Sequence, residues 1–144
     1  MPKIKLKECE NYEYQYSTRI NIRDINYGGH LGNDSLVGIL HEARIDLLNK
    51  MGFSELDLGD GKTGIIMSDL AVKFIKEGFL LDEIIVYSHI DEISNASFRI
   101  FHKIVRVKDN ALLALAETGI VCFNYKEKAI SDIPEAFLQK IGKL

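Results

Sequence analysis

The residues best equipped for chemistry are packed into one stretch, Arg23-Asp24-Ile25-Asn26-Tyr27-Gly28-Gly29-His30-Leu31-Gly32-Asn33-Asp34. Gly28, Gly29 and Gly32 permit positive φ and let backbone approach a bound molecule closely. A helix starting at Asn33 or Asp34 would present free N–H groups and partial positive charge to a developing oxyanion. His30, with Asp24 or Asp34, supplies acid–base groups. Tyr27, Gly28, Gly29 and Asn33 are the substrate-binding candidates around them. The plain alternative is a tight turn with a capping Asn and a histidine that hydrogen-bonds the loop, because short motifs also arise by chance.

Elsewhere the signals are weaker. His41 lies on the same helix, and His89 and His102 fall in strand-like segments without a sequence partner. Asp69 is an isolated acid among Ile65, Ile66, Met67 and Leu70, which a solvated edge position also explains. No His, Cys or acidic set has metal-ligand spacing, so no metal is expected. Cys9 and Cys122 are far apart and read as free thiols of a reducing compartment. Tyr12, Tyr14 and Tyr16 read as packing residues rather than a base-stacking platform, since no basic stripe accompanies them. Lys73, Lys76, Arg99, Lys103, Lys126 and Lys128 are scattered, and solvation is the default for each.

The elements that must position the glycine turn follow from periodicity. Residues 12–23 alternate, with Tyr12, Tyr14, Tyr16, Thr18, Ile20 and Ile22 on one parity, and predict a half-buried strand. Residues 33–51 switch to helical spacing through Leu36, Leu40, Ala43 and Leu47. Asn33 or Asp34 is the expected N-cap, and Gly52 the left-handed residue beyond the C-terminus. Val37, Ile39, Ile45 and Leu48 widen the stripe, which predicts a helix buried on several sides. Four strands in meander order are expected at 63–76, 83–92, 96–107 and 111–125, broken by the turn-like Glu77-Gly78, Ser94-Asn95 and Lys108-Asp109-Asn110, with the last strand covered on both faces. Pro134 opens a short terminal helix with Phe137, Leu138 and Ile141 inward. Strands beside one helix give an α+β fold, a long antiparallel sheet wrapped around one central α-helix, with a barrel of similar connectivity as the alternative.

The chain has 144 residues, which suits one domain spanning 1–144. Hydrophobic residues make up 47% and charged residues 27%, so disorder and collagen-like repeats are excluded. With 18 Lys+Arg against 21 Asp+Glu the net charge is -3, which lacks the basic excess of a nucleic-acid binder. No apolar run reaches the ~18 residues of a membrane span, and none follows the charged start as in a signal peptide. A cytoplasmic protein with neither membrane nor nucleic-acid partner is expected.

The stretch Asn26-Tyr-Gly-Gly-His-Leu-Gly-Asn33, followed by His41-Glu-Ala-Arg44, resembles the hotdog-fold acyl-CoA thioesterases, in particular the 4-hydroxybenzoyl-CoA thioesterase branch. The usual pattern there is Asp-x-x-Gly-His-Val-Asn-Asn with Glu-Ala-Arg on the helix. Gly29, His30, Asn33 and Glu42-Ala43-Arg44 match. Gly32 stands where the family often has the first Asn of its pair. Asn26 stands at the position of the catalytic Asp; an amide cannot act as a nucleophile or base as a carboxylate does, but as a catalytic candidate it can still orient a water or hold the thioester oxygen. Of the Asp-x-Asn-x-His pattern of acyl-carrier-protein thioesterases, only His30 survives.

The resemblance implies hydrolysis of an acyl-CoA or acyl-carrier thioester. It implies no cofactor beyond coenzyme A as part of the substrate, and a homodimer or homotetramer. Substitute carboxylates are Asp24, which shares the strand parity of Asn26, and Glu42 on the helix, where some hotdog thioesterases carry theirs. Glu42 also suits a structural ion pair. Two other functions fit the same fold: a non-catalytic acyl-CoA-binding protein, and a hydratase or dehydratase pairing His30 with a helix acid.

Overall fold

The computed structural model describes residues 3–142. Five long or medium strands and a short sixth form one antiparallel sheet: β1 (Tyr14–Arg19), β2 (Thr63–Phe74), β3 (Glu83–Asp91), β4 (Ser97–Arg106), β5 (Ala111–Asn124) and β6 (Ala129–Ile130). Helix α1 (Asn33–Lys50) lies against the sheet, and α2 (Glu135–Lys140) closes the C-terminal end. This is the expected α+β arrangement of a long antiparallel sheet around one helix, and not a closed barrel.

The strand order is β1-β3-β4-β5-β2. Only β3, β4 and β5 form a meander. β2 pairs with β5 instead of β3, so the 75–82 connection crosses from one side of the sheet to the other. The expected four-strand meander is corrected on this point: turn residues mark where a strand ends and carry no information on which edge it joins. β5 lies between β4 and β2, and both of its parities are largely buried, as its apolar sequence predicts.

β1 is shorter than its alternation. The tyrosine parity is half-buried and the Glu13, Gln15, Ser17, Arg19 parity exposed, but the strand stops at Arg19. Residues Ile22–Asp24 instead form one 3-10 turn. Asp24 accepts a hydrogen bond from the Asn21 N–H at 2.8 Å through its carboxylate, and this local bond competes successfully with strand continuation.

In α1 the residues Leu36, Ile39, Leu40, Ala43, Arg44, Leu47 and Leu48 are buried, the i, i+3, i+4, i+7 stripe of a helix on a sheet. Ile45 on the opposite side is exposed, so within one protomer the helix is covered along a stripe and not on several sides. Its N-cap is Gly32, one residue before the expected Asn33 or Asp34, and no side chain caps it. Gly52 takes φ +86° just beyond the helix end, where a left-handed residue was expected.

The core has two apolar clusters. One gathers the C-terminal half of α1 (Leu47, Leu48, Met51) with Ile90, Phe98, Ile120 and Phe137 of α2, and Phe98 and Phe137 stack at 5.0 Å. The other gathers Leu36, Ile39, Leu40 and Ala43 with Ile84, Val86, Ile104 and Leu113. Ser88, His102, Thr118 and Arg44 are all buried, and they belong to neither cluster. They form a polar seam in the core. His102 Nδ1 lies 2.8 Å from Ser88 Oγ, and Arg44 Nε donates to Glu55 at 2.8 Å.

Candidate active site

The chain between the 3-10 turn and α1 closes on itself through a bridge between Ile25 and Leu31. The Asn26 N–H donates to the His30 carbonyl at 2.8 Å, and the Gly29 N–H to the Asn26 carbonyl at 3.0 Å. The Asn26 side chain organises the interior of this loop: its Oδ1 accepts from the N–H groups of Gly28 at 2.9 Å and His30 at 3.2 Å. Gly29 sits at φ +84°, a conformation that L side chains rarely adopt. Tyr27 projects fully into solvent.

Two contacts fix the loop to the rest of the fold. The Leu31 N–H donates to the Gly78 carbonyl, and the Gly32 N–H to the Asp24 carbonyl, both at 2.8 Å. Gly32 then starts α1. A Cβ at this position would come within 2.7 Å of Asp34 Oδ1, the end of an exposed side chain that can turn aside. The Asn33 N–H, in the first turn of α1, makes no hydrogen bond among the described residues and remains available to an anion.

Loop, helix start and the segment following β2 line an open cleft of about 790 Å³. Asn26, His30, Asn33, Lys76, Glu77 and Arg106 supply its polar groups, and Leu31, Leu36, Phe74, Ile75, Phe79 and Leu113 its apolar surface. His30 is half-buried, edge-on to Phe79 with ring centroids 5.8 Å apart, and its Nε2 lies 3.4 Å from Glu77 Oε2. Arg106 reaches behind this pair, donating through Nη1 to the Glu77 carbonyl at 3.0 Å and to Asp82 Oδ2 at 3.2 Å.

Residues 20–141 match the family model of the thioesterase-like superfamily. The chain belongs to that superfamily. A comparison with curated proteins by sequence finds no match. Solved structures resemble this thioesterase-like chain over most of their length. A 1,4-dihydroxy-2-naphthoyl-CoA thioesterase from Synechocystis superposes with TM-score 0.82 at 20% identity, covering 91% of this chain and 96% of that one. A gentisyl-coenzyme A thioesterase gives 0.77 at 20% identity, covering 89% and 99%. A Staphylococcus aureus protein solved in complex with CoA gives 0.81 at 14% identity, covering 94% and 85%. The shared fold is the hotdog fold.

Of the residues singled out from sequence, Asn26, His30 and Asn33 line the same cavity, with Gly28 and Gly29 in the turn beside them. Asp24 and Glu42 do not. Both line a second, smaller hollow of about 240 Å³ on the β1 side of α1. Asp24 is held there by the 3-10 turn, so the shared strand parity with Asn26 does not exist. Glu42 accepts a hydrogen bond from the Tyr16 hydroxyl at 3.2 Å. Asp34 lies exposed in the first turn of the helix.

The ion pair expected at Glu42-Ala43-Arg44 forms through another acid. Arg44 and His41 both hold Glu55, at 2.8 and 2.9 Å. Burial opposes ionisation there, yet His41 and Arg44 together keep the Glu55 carboxyl below the usual range. Asp69 pairs with Arg99 outside the cavity, and Arg99 holds its carboxyl low as well. His89 contacts Glu13 and Asp91. Among the described residues no three His, Cys, Asp or Glu side chains gather closely enough to hold a metal ion.

Glu77 is the acid of this cleft, and the sequence did not single it out. Its only signal was the Glu77-Gly78 turn directly after a long strand. Its neighbour His30 lies far back in the chain, so no local spacing pairs them.

Proposed function

We propose that this protein hydrolyses the thioester of an acyl-CoA in the His30 cavity. One observation carries the reading: the Asn26–His30 loop and the free start of α1 open onto one cleft that Leu31, Leu36, Phe74 and Phe79 also line. A thioester needs a polarised carbonyl, a positioned water and a slot for the acyl group. The Asn33 N–H and the helix start suit the carbonyl oxygen, His30 suits the water, and Leu31, Leu36, Phe74 and Phe79 suit the acyl group. Lys76 in the cleft adds positive charge for coenzyme A phosphates. Coenzyme A enters as part of the substrate, and protein groups alone offer the polarised carbonyl, the positioned water and the acyl slot, so no further cofactor is expected. The neighbours described by their CoA ester or by bound CoA support the substrate class.

The experiment is steady-state release of free thiol from short, medium, long and aromatic acyl-CoAs. Turnover of at least one class is expected; a folded protein inert to all of them overturns the reading. Binding of an acyl-CoA without hydrolysis would instead fit the non-catalytic reading, which the amide at Asn26 favours. The hydratase reading has less support, because Glu42 on the helix faces away from His30.

We also infer a homodimer or homotetramer. β2 pairs only with β5 among the described strands, and it exposes Ile66, Met67 and Phe74 along a twelve-residue edge. Long apolar edges are normally covered. A monomeric mass in solution at micromolar concentration would refute this. The free thiols Cys9 and Cys122 fit a cytoplasmic setting.

A further inference from the structure

If the cavity hydrolyses thioesters, as proposed above, it needs a group to activate water, and the loop carries the amide of Asn26, beside His30, where the resemblance implies a carboxylate. We propose that Glu77, in the segment after β2, is the general base that this loop lacks. The proposal rests on the hydrolase reading and assigns the base within it.

Glu77 lines the same cavity as Asn26 and His30. Its Oε2 faces His30 Nε2 at 3.4 Å, and its Oε1 makes no hydrogen bond among the described residues, which leaves that oxygen for a water. Its backbone is fixed on both sides. Arg106 holds the Glu77 carbonyl at 3.0 Å, and the next carbonyl, of Gly78, receives the Leu31 N–H at 2.8 Å from the loop itself. A Cβ at Gly78 would come within 2.7 Å of Ile20 Cδ1 and 3.3 Å of Leu31 Cβ. The turn therefore packs directly against the loop, which sets the Glu77 backbone beside His30. The other acid in its supporting network, Asp82, is buried and already held by Arg106.

The step balances without a co-reactant. The Glu77 carboxylate takes a proton from water as the water oxygen bonds to the thioester carbon. The oxyanion forms towards the start of α1. When it collapses, the C–S bond breaks and the departing thiolate takes the proton from Glu77. Acid and free thiol leave, and the carboxylate is restored. His30, against Oε2, orients the base so that Oε1 faces the water.

The test uses the intact protein and the acyl-CoA that wild type hydrolyses fastest. Glu77→Gln should lower kcat by ~10²–10⁴-fold, the range for a positioned base, with little change in KM. The acidic limb of the wild-type kcat–pH profile should vanish in this variant. Glu77→Asp, a carboxylate set back by one methylene, should retain part of the activity. Adding Asn26→Asp to Glu77→Gln should restore turnover, because Asp keeps the Oδ1 acceptor for the loop N–H groups and adds a carboxylate to the same cavity. The Glu77 side chain is mostly exposed and its structural contacts are backbone ones, so a normal melting curve is expected for each variant.

A wild type inert to every acyl-CoA overturns the hydrolase reading and this assignment with it. An active wild type whose kcat survives Glu77→Gln overturns the assignment alone. So does a Glu77→Gln loss that keeps the acidic limb and is not rescued by Asn26→Asp, since that pattern marks a structural role.

Discussion

Two hollows flank the N-terminal half of α1, and each contains acids near the glycine turn. On one side, Asn26, His30 and Glu77 share a cleft of about 790 Å³ with apolar surface. On the other, Asp24 and Glu42 share a hollow of about 240 Å³ lined mainly by polar side chains and β1. In the second, each carboxylate already serves the fold: Asp24 binds the Asn21 N–H of the 3-10 turn, and Glu42 receives the Tyr16 hydroxyl. In the first, the Glu77 side chain pairs with a histidine and makes no other hydrogen bond or ion pair among the described residues. Proximity in sequence to a motif thus separates these acids poorly. What distinguishes them is whether the fold already uses the carboxylate.

The largest effect should come from His30. His30→Ala should lower kcat by ~10²–10⁴-fold on the best acyl-CoA, and unchanged turnover in a folded variant would reduce the first cavity to loop packing. Asn26 comes next. Asn26→Ala leaves two loop N–H groups without their acceptor, a loss of about 1 kcal/mol in stability, and should lower kcat further than KM by freeing His30. Asn26→Asp alone preserves that acceptor. With Glu77 intact it should change kcat little or lower it, because a second carboxylate near the first raises one pKa. A marked rise in turnover would show that wild type lacks a working base.

Smaller effects should come from the second hollow. Asp24→Ala removes a capping acceptor and should cost about 1 kcal/mol in denaturant unfolding, with kcat close to wild type. Glu42→Gln should change stability by less than about 0.5 kcal/mol and leave turnover in place. A large kcat loss in Glu42→Gln would break the comparison outright, and would mean that a partner subunit brings this helix face to a shared site.

The strands and α1 were legible because their patterns are local. Alternation over 14–19, the Leu36–Leu40–Ala43–Leu47 stripe and the left-handed Gly52 each lie within one element. The β2–β5 pairing was not, because it joins segments about fifty residues apart through backbone bonds that any side chain permits. The candidate loop was legible as a cluster, and the structure does bring Asn26, His30 and Asn33 to one cavity. Asp24 was misplaced because strand parity was extended through a 3-10 turn that its own carboxylate stabilises. Gly32 rather than Asn33 opens the helix, and its N–H is held by the Asp24 carbonyl instead of a side-chain cap. Glu77 stayed hidden because turn chemistry explained it fully, and only the fold of residues 75–82 places it against His30.

The polar seam of the core gives this protein a built-in acid response. Burial, with the Arg44 charge adding to it, pushes the His102 imidazole down to about 3, whereas in the unfolded chain it titrates near ~6.5. The unfolded state therefore takes up a proton that the folded state refuses. The contribution to stability is complete above pH ~6.5 and declines as the pH falls towards 3. Unfolding free energy measured across that window should drop in wild type and stay flatter in His102→Gln. Acid inactivation that accompanies unfolding would then trace to His102 in the buried seam, and acid inactivation of the folded protein to the cleft. Unfolding and turnover curves recorded in the same buffers will fall together in the first case and part in the second.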